Sequence, residues 1–280
     1  MPRCGITGTG PPMTTLPRQI PPPGSGAGGV IILLAVLLFS VVPFSSDIHP
    51  WAVAVSIVLL VVSMLFRATQ AMHITCFTAG FTLMPFLFPF FRSWPFALLV
   101  PFFLYLVAVL MVPSLRTSLY WTHTGRLNRG ILAMVIVTAI ISGIALYLWN
   151  RLLKPDLSIH LSFIPDMPSW LYPLAGLGFS IGNAVLEESV FRGMFMQALD
   201  SAFGPGMVSV VVQAWLFGAI HYMQGFPNGA WGIAMTFVYG IMLGVIRRRG
   251  HGMLAPTITH VCADMAIFAI LASVVMGSRG

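Results

Sequence analysis

Glu187 and Glu188 are the only glutamates in a chain of 280 residues, and they stand side by side in an apolar run, Trp170–Leu199. The only other charge in that run is Arg192. A carboxylate at bilayer depth costs about 2.5–3.5 kcal/mol on insertion scales, so two adjacent ones need a reason to be there. On a helix, neighbouring residues point about 100° apart, which separates the two acids. Glu188 and Arg192 share a face at i,i+4 and can neutralise each other. Glu187 is left without a local partner, free to face a cavity. The plain alternative is a buried ion-pair knot, Glu188 with Arg192, that only holds helices together.

Two later apolar runs carry the remaining buried ionisable groups. One contains Phe217-Gly218-Ala219-Ile220-His221, and the other His260-Val261-Cys262-Ala263-Asp264, with His260 and Asp264 again at i,i+4. Such groups left unpaired in lipid cost on the order of ten kcal/mol together, so they are expected to converge. A buried glutamate beside a histidine is a workable general base for water. A second histidine can donate to the oxyanion formed when water attacks a carbonyl. That is amide hydrolysis. The same donors, Glu187, His221 and His260, suit zinc by type, although the chain has no HExxH spacing. His49, His73, His123, His160 and His251 lie in or near loops or stand alone, and no role is assigned to them.

The elements that must position these groups are membrane helices. The chain is 58% hydrophobic and 8% charged, where soluble domains carry about 25% charged residues. Its net charge of +7 comes from scarce acids rather than clustered bases, which excludes nucleic acid as a partner. Cys4, Cys76 and Cys262 form no CxxC or disulfide framework. Cys262, between the two polar residues of its run, reads as a buried inert thiol.

Residues 1–28, rich in Pro, Gly and Thr, read as a disordered tail. Apolar runs follow at Val30–Phe44, Trp51–Phe66, Ala71–Phe91, Phe96–Val112, Ile131–Trp149, Trp170–Leu199, Met207–Met223, Ala230–Val245 and Met253–Met276. The expected fold is therefore all-α, a polytopic bundle of about eight to nine membrane helices. Residues 29–168 form its N-terminal part and 169–280 its catalytic core. Gly178 with Gly182, and Gly240 with Gly244, have the spacing of close helix contacts. With the N-terminus inside, Arg3, Arg18, Arg67, Arg116, Arg126, Arg129 and Arg247–Arg249 fall on the cytoplasmic side. Arg92, Arg151, Lys154 and Arg279 fall outside. The positive-inside rule prefers that orientation in an inner or plasma membrane.

In order along the chain, EExxxR, FxxxH and HxxxD resemble the CPBP family of intramembrane proteases, relatives of the type II CAAX prenyl endopeptidase and the abortive-infection proteins. The resemblance runs from about Leu171 to Phe268 and includes Phe191-Arg192-Gly193 and Ala255-Pro256. It implies that Glu187 and His221 activate water, that Glu188 and Arg192 support the site, and that His260 with Asp264 stabilises the oxyanion. The CAAX-processing branch typically has Asn where this chain has Asp264. An ionised aspartate cannot donate a hydrogen bond, so Asp264 is expected to orient His260. No cofactor is expected, zinc being the one the donor set could take. The expected partners are the lipid bilayer and a peptide or lipidated protein within it: a prenylated C-terminus, a leader peptide or a C-terminal sorting tail. A non-catalytic scaffold and a proton-coupled transporter remain as alternatives.

Overall fold

The computed structural model describes residues 26–277, so residues 1–25 of the expected tail lie outside the described residues, while Gly26–Gly28 already open the first helix. The described residues are mainly helical, with no strand. In order they form α1 (Gly26–Val41), α2 (Pro50–Leu65), α3 (Thr69–Leu87), α4 (Phe96–Met111) and the short α5 (Pro113–Thr117). Next come α6 (Arg129–Leu153), the single turn α7 (Ser158–Leu161), and α8 (Tyr172–Glu188). A π-helical segment, Ser189–Phe195, carries α8 without a break into α9 (Met196–Phe203). Then follow α10 (Met207–Gln224), α11 (Gly229–Gly250) and α12 (Leu254–Gly277).

Composition explains both the helices and their outer surface. In lipid every backbone polar group must be satisfied within the segment, so apolar stretches of this length become helices. Residues 26–44, α6, α11 and α12 are long and apolar enough to span a bilayer, and α2, α4 and α10 are apolar but shorter. Large apolar side chains stay exposed, among them Leu65, Leu110, Met111, Ile140, Ile144 and Leu152. Without an apolar solvent that surface would be an aggregation hazard. This is an integral membrane protein.

The hydrophobic core crosses the expected boundary between the two parts of the chain. Phe39 of α1 packs ring to ring with Phe191 and Phe195 of the π segment and with Phe81 of α3, and Phe77 of α3 packs against Phe195. Phe191 in turn meets Phe217 of α10 at 5.2 Å between centroids. The N-terminal helices thus form a wall for the glutamate-bearing helix rather than a separate body. On its other side, α8 packs against α12, which also packs against α6, and α10 lies along α11.

Two connections fix the helix ends. The loop before α6 runs beside the α11–α12 turn, with Arg126 N donating to Gly250 O at 2.8 Å and Met253 N to His123 O at 2.8 Å. Gly125, at φ +83°, lies so close to Gly250 and Gly252 that any side chain there would overlap their backbone. Arg248 grips both carboxylate oxygens of Asp200, joining α9 to α11. One member of the Arg247–Arg249 run is therefore a helix clasp.

The glycine pairs divide. Gly240 and Gly244 face α10 closely, at Ala214, Gln213 and Val210. Gly178 and Gly182 face nothing within 4 Å, contrary to expectation, and the close contact of α8 is instead Gly176 against Phe268. A glycine spacing shows where helices can approach, not which ones do.

Candidate active site

The two glutamates sit at the C-terminal end of α8, where the helix widens into its π turn. Glu188 is fully buried, and its Oε1 lies 2.9 Å from Nη1 of Arg192, itself 1% exposed. Arg192 lies inside the π segment rather than on the regular helix expected from its spacing, yet the pair still forms. Single π turns are frequent at functional sites. The guanidinium also stands over the Phe217 ring, 4.3 Å from its centroid. Among the described residues, Glu188 Oε2 and Arg192 Nε and Nη2 have no hydrogen-bond partner.

His260, from α12, is the centre of the cluster. Its Nδ1 is 2.8 Å from Glu188 Oε1, and since a carboxylate only accepts, Nδ1 carries the hydrogen. Its Nε2 is 3.4 Å from Glu187 Oε2 and 3.6 Å from Asp264 Oδ1. Glu188, not Asp264, therefore orients His260. The spacing i,i+4 placed Asp264 on the correct face but left it beyond hydrogen-bond length. The amide Nδ2 of Asn183 donates to Asp264 Oδ2 at 3.1 Å, and the Trp94 indole donates to Asn183 Oδ1 at 3.4 Å.

His221 approaches from α10. Its Nδ1 donates to the Phe217 carbonyl one turn earlier, at 2.8 Å, which leaves Nε2 as the acceptor. Phe217 is the hub that the FxxxH spacing concealed. Its ring lies 4.7 Å from that of His221 and 5.8 Å from that of His260, besides carrying Arg192.

Helix α10 ends at Gln224, and the loop after it turns inward, with Phe226 packed edge-on against Trp149 and His160. That places His221 beside interior loop residues despite its position near a helix end. His160, unassigned from sequence, donates from Nε2 to Gly225 O at 3.0 Å, and burial pulls its pKa below the ordinary histidine value. A side chain at Gly225 would collide with the His221 ring.

Glu187, His221, His260, Asp264 and Asn183 all line one cavity of about 630 Å³. Its remaining walls are mainly apolar, including Phe163, Phe179, Phe226 and Leu271. A second cavity of about 100 Å³ shares Glu187, His221, Trp94 and Gly225 and extends to Arg92. Cys262 is exposed rather than buried and lines neither cavity.

The metal reading can be set against this geometry. Among the described residues no three His, Cys, Asp or Glu side chains are disposed to hold one ion. Glu187, His221 and His260 share a cavity without forming such a set.

A helical membrane bundle enclosing a cavity walled partly by buried acids and histidines defines a class: polytopic membrane proteins with an internal polar site. Residues 168–266, which hold Asn183, Glu187, Glu188, Arg192, His221, His260 and Asp264, match the family model described as type II CAAX prenyl endopeptidase Rce1-like. That segment is similar to this family, at the place the motif order predicts. No curated protein and no solved structure matches the chain.

Of the residues that sequence reasoning missed, Asn183 had a readable signal, since it precedes Glu187 by four residues on the same helix. Trp94 and His160 reach the site through tertiary packing, and no local spacing marks them.

Proposed function

We propose that this protein is an intramembrane endopeptidase in which Glu187 and His221 activate water. The observation that carries the reading is that Glu187, His221 and His260 line one cavity within the segment matching an endopeptidase family. Water held between the Glu187 carboxylate and His221 Nε2 attacks the scissile carbonyl, and its proton passes to Glu187. His260, with Nδ1 held by Glu188, presents Nε2 to the developing oxyanion in its imidazolium form. Arg192 balances the charge of Glu188. When the carbon–nitrogen bond breaks, Glu187 returns the proton to the leaving amine.

The apolar walls of the larger cavity favour a substrate with a lipid chain or an apolar segment, such as a prenylated C-terminus, a leader peptide or a sorting tail. The chain crosses the membrane eight to nine times with its N-terminus in the cytoplasm. Catalysis needs no metal. Quantitative peptide profiling of membranes from cells making the parent or Glu187→Gln tests the reading. Fragments should accumulate with the parent and be missing with the variant. Identical profiles from two equally folded proteins would favour a non-catalytic scaffold.

A further inference from the structure

The site has an acid, a base and one imidazole for the oxyanion, but Asp264 beside that imidazole brings no hydrogen of its own while ionised. Asn183 makes up this deficit. Its amide is oriented at both ends: the Trp94 indole N–H points at Oδ1, 3.4 Å away, and Nδ2 faces Asp264 Oδ2 at 3.1 Å. An amide nitrogen carries two hydrogens, and Asp264 takes one. Asn183 is half-buried and lines the same cavity as Glu187, which follows it by one helical turn on the same face. Across that cavity, Asp264 Oδ1 lies 3.6 Å from His260 Nε2, so the Asn183 amide and the His260 imidazole flank a single carboxylate.

We infer that Asn183 is a further catalytic residue, the second oxyanion donor, with Asp264 serving to hold its amide toward the cavity. This rests on the hydrolytic reading above. As water oxygen bonds to the scissile carbonyl carbon, the carbonyl π pair moves onto oxygen and the water proton moves to Glu187. The remaining Asn183 N–H and the His260 Nε2–H accommodate that oxyanion. The C=O bond re-forms as the carbon–nitrogen bond breaks, and the proton on Glu187 goes to the departing nitrogen. Two fixed donors aimed where charge develops act on the barrier more than on substrate binding.

The test uses the full chain purified in detergent. Fragments present with the parent and missing with Glu187→Gln identify a cleaved sequence, and its synthetic precursor becomes the probe. Asn183→Ala should lower kcat by about 10²–10³-fold and leave KM within about twofold. Asn183→Asp keeps the side chain's size and removes its donor, so it should show a comparable loss with its melting temperature near the parent's. That variant keeps the test valid should the alanine protein fold poorly. The inference is overturned if Asn183→Asp holds kcat within about threefold of the parent, or if the loss falls on KM instead. With Glu187→Gln dead and both Asn183 variants active, only the Asn183 role falls. If Glu187→Gln leaves the fragments unchanged, the hydrolytic reading falls and takes this one with it.

Discussion

Two of the polar networks buried among the described residues differ in kind. In the N-terminal half, His73 pairs through Nδ1 with Tyr105 Oη at 2.8 Å and through Nε2 with Ser118 Oγ at 2.9 Å. Gln197 of α9 then donates to Gln70 Oε1 at 2.7 Å and to Ser118 O at 2.9 Å, and receives the Tyr120 N–H at 2.7 Å. This network is built of neutral side chains, and neither cavity reaches it. The network around His260 is charged, leaves Glu188 Oε2 and Arg192 Nε and Nη2 without partners, and opens on a cavity of about 630 Å³. Both bury a histidine deep among apolar helices. Burial of a polar group therefore does not mark a site; charge, incomplete satisfaction and an adjoining cavity do so together.

The sharpest way to break this contrast is Glu187→Gln. The protein should stay folded while cleavage falls by at least about 10²-fold, because an amide cannot act as the base. Fragment profiling joined to a melting curve decides it, and a folded, active variant would place Glu187 with the structural network. Next in size is Glu188→Ala, which strands both Arg192 and the Nδ1 of His260. Breaking a buried pair of this kind costs about 3–5 kcal/mol, so thermal stability and cleavage should drop together. Equal melting temperatures for the Glu187 and Glu188 variants would end the division of labour between them.

On the other side of the comparison, His73→Leu should cost about 1–3 kcal/mol by removing the partner of Tyr105 Oη and one of the partners of Ser118 Oγ. Cleavage per folded molecule should stay at the parent level; a fall in kcat at constant folded fraction would make the neutral network part of the chemistry. His160→Leu loses one bond to Gly225 O, worth about 1 kcal/mol. Its melting temperature should fall less than those of the Glu188 and His73 variants. Chelator treatment should produce no change at all, and elemental analysis of the purified protein should find no stoichiometric zinc. Loss of activity in chelator with recovery on zinc alone would reverse the assignment.

Much of this site was legible because membrane burial makes polar residues conspicuous. Glu187, Glu188, Arg192, His221, His260 and Asp264 stand out in apolar runs, and i,i+4 geometry correctly paired Glu188 with Arg192. For His260 the same rule found Asp264, at 3.6 Å, and missed the hydrogen-bonded partner Glu188. It sees along one helix, whereas the bond that matters crosses from α12 to α8, over 72 residues of chain. The N-terminal network could not be read for the same reason: His73, Ser118 and Gln197 lie on three separate elements. The helical fold was plain from composition. The inward loop after α10 and the π turn were not, since each is set by what packs against it.

That π turn has a consequence for how the chain tolerates changes in length. Its i→i+5 bonding accommodates one residue more per turn than the helices it joins. Removing any single residue between 189 and 195 would let the segment relax to ordinary pitch and turn everything before it by about 100° relative to everything after. Downstream, Gln197 and Asp200 would remain anchored to the N-terminal half and to Arg248. Upstream, both acids would swing away from His260. A shortening harmless to hydropathy would thus put the glutamate-bearing helix out of phase with its own anchorage, so the spacing between Glu188 and Gln197 is as much a part of the site as the residues themselves.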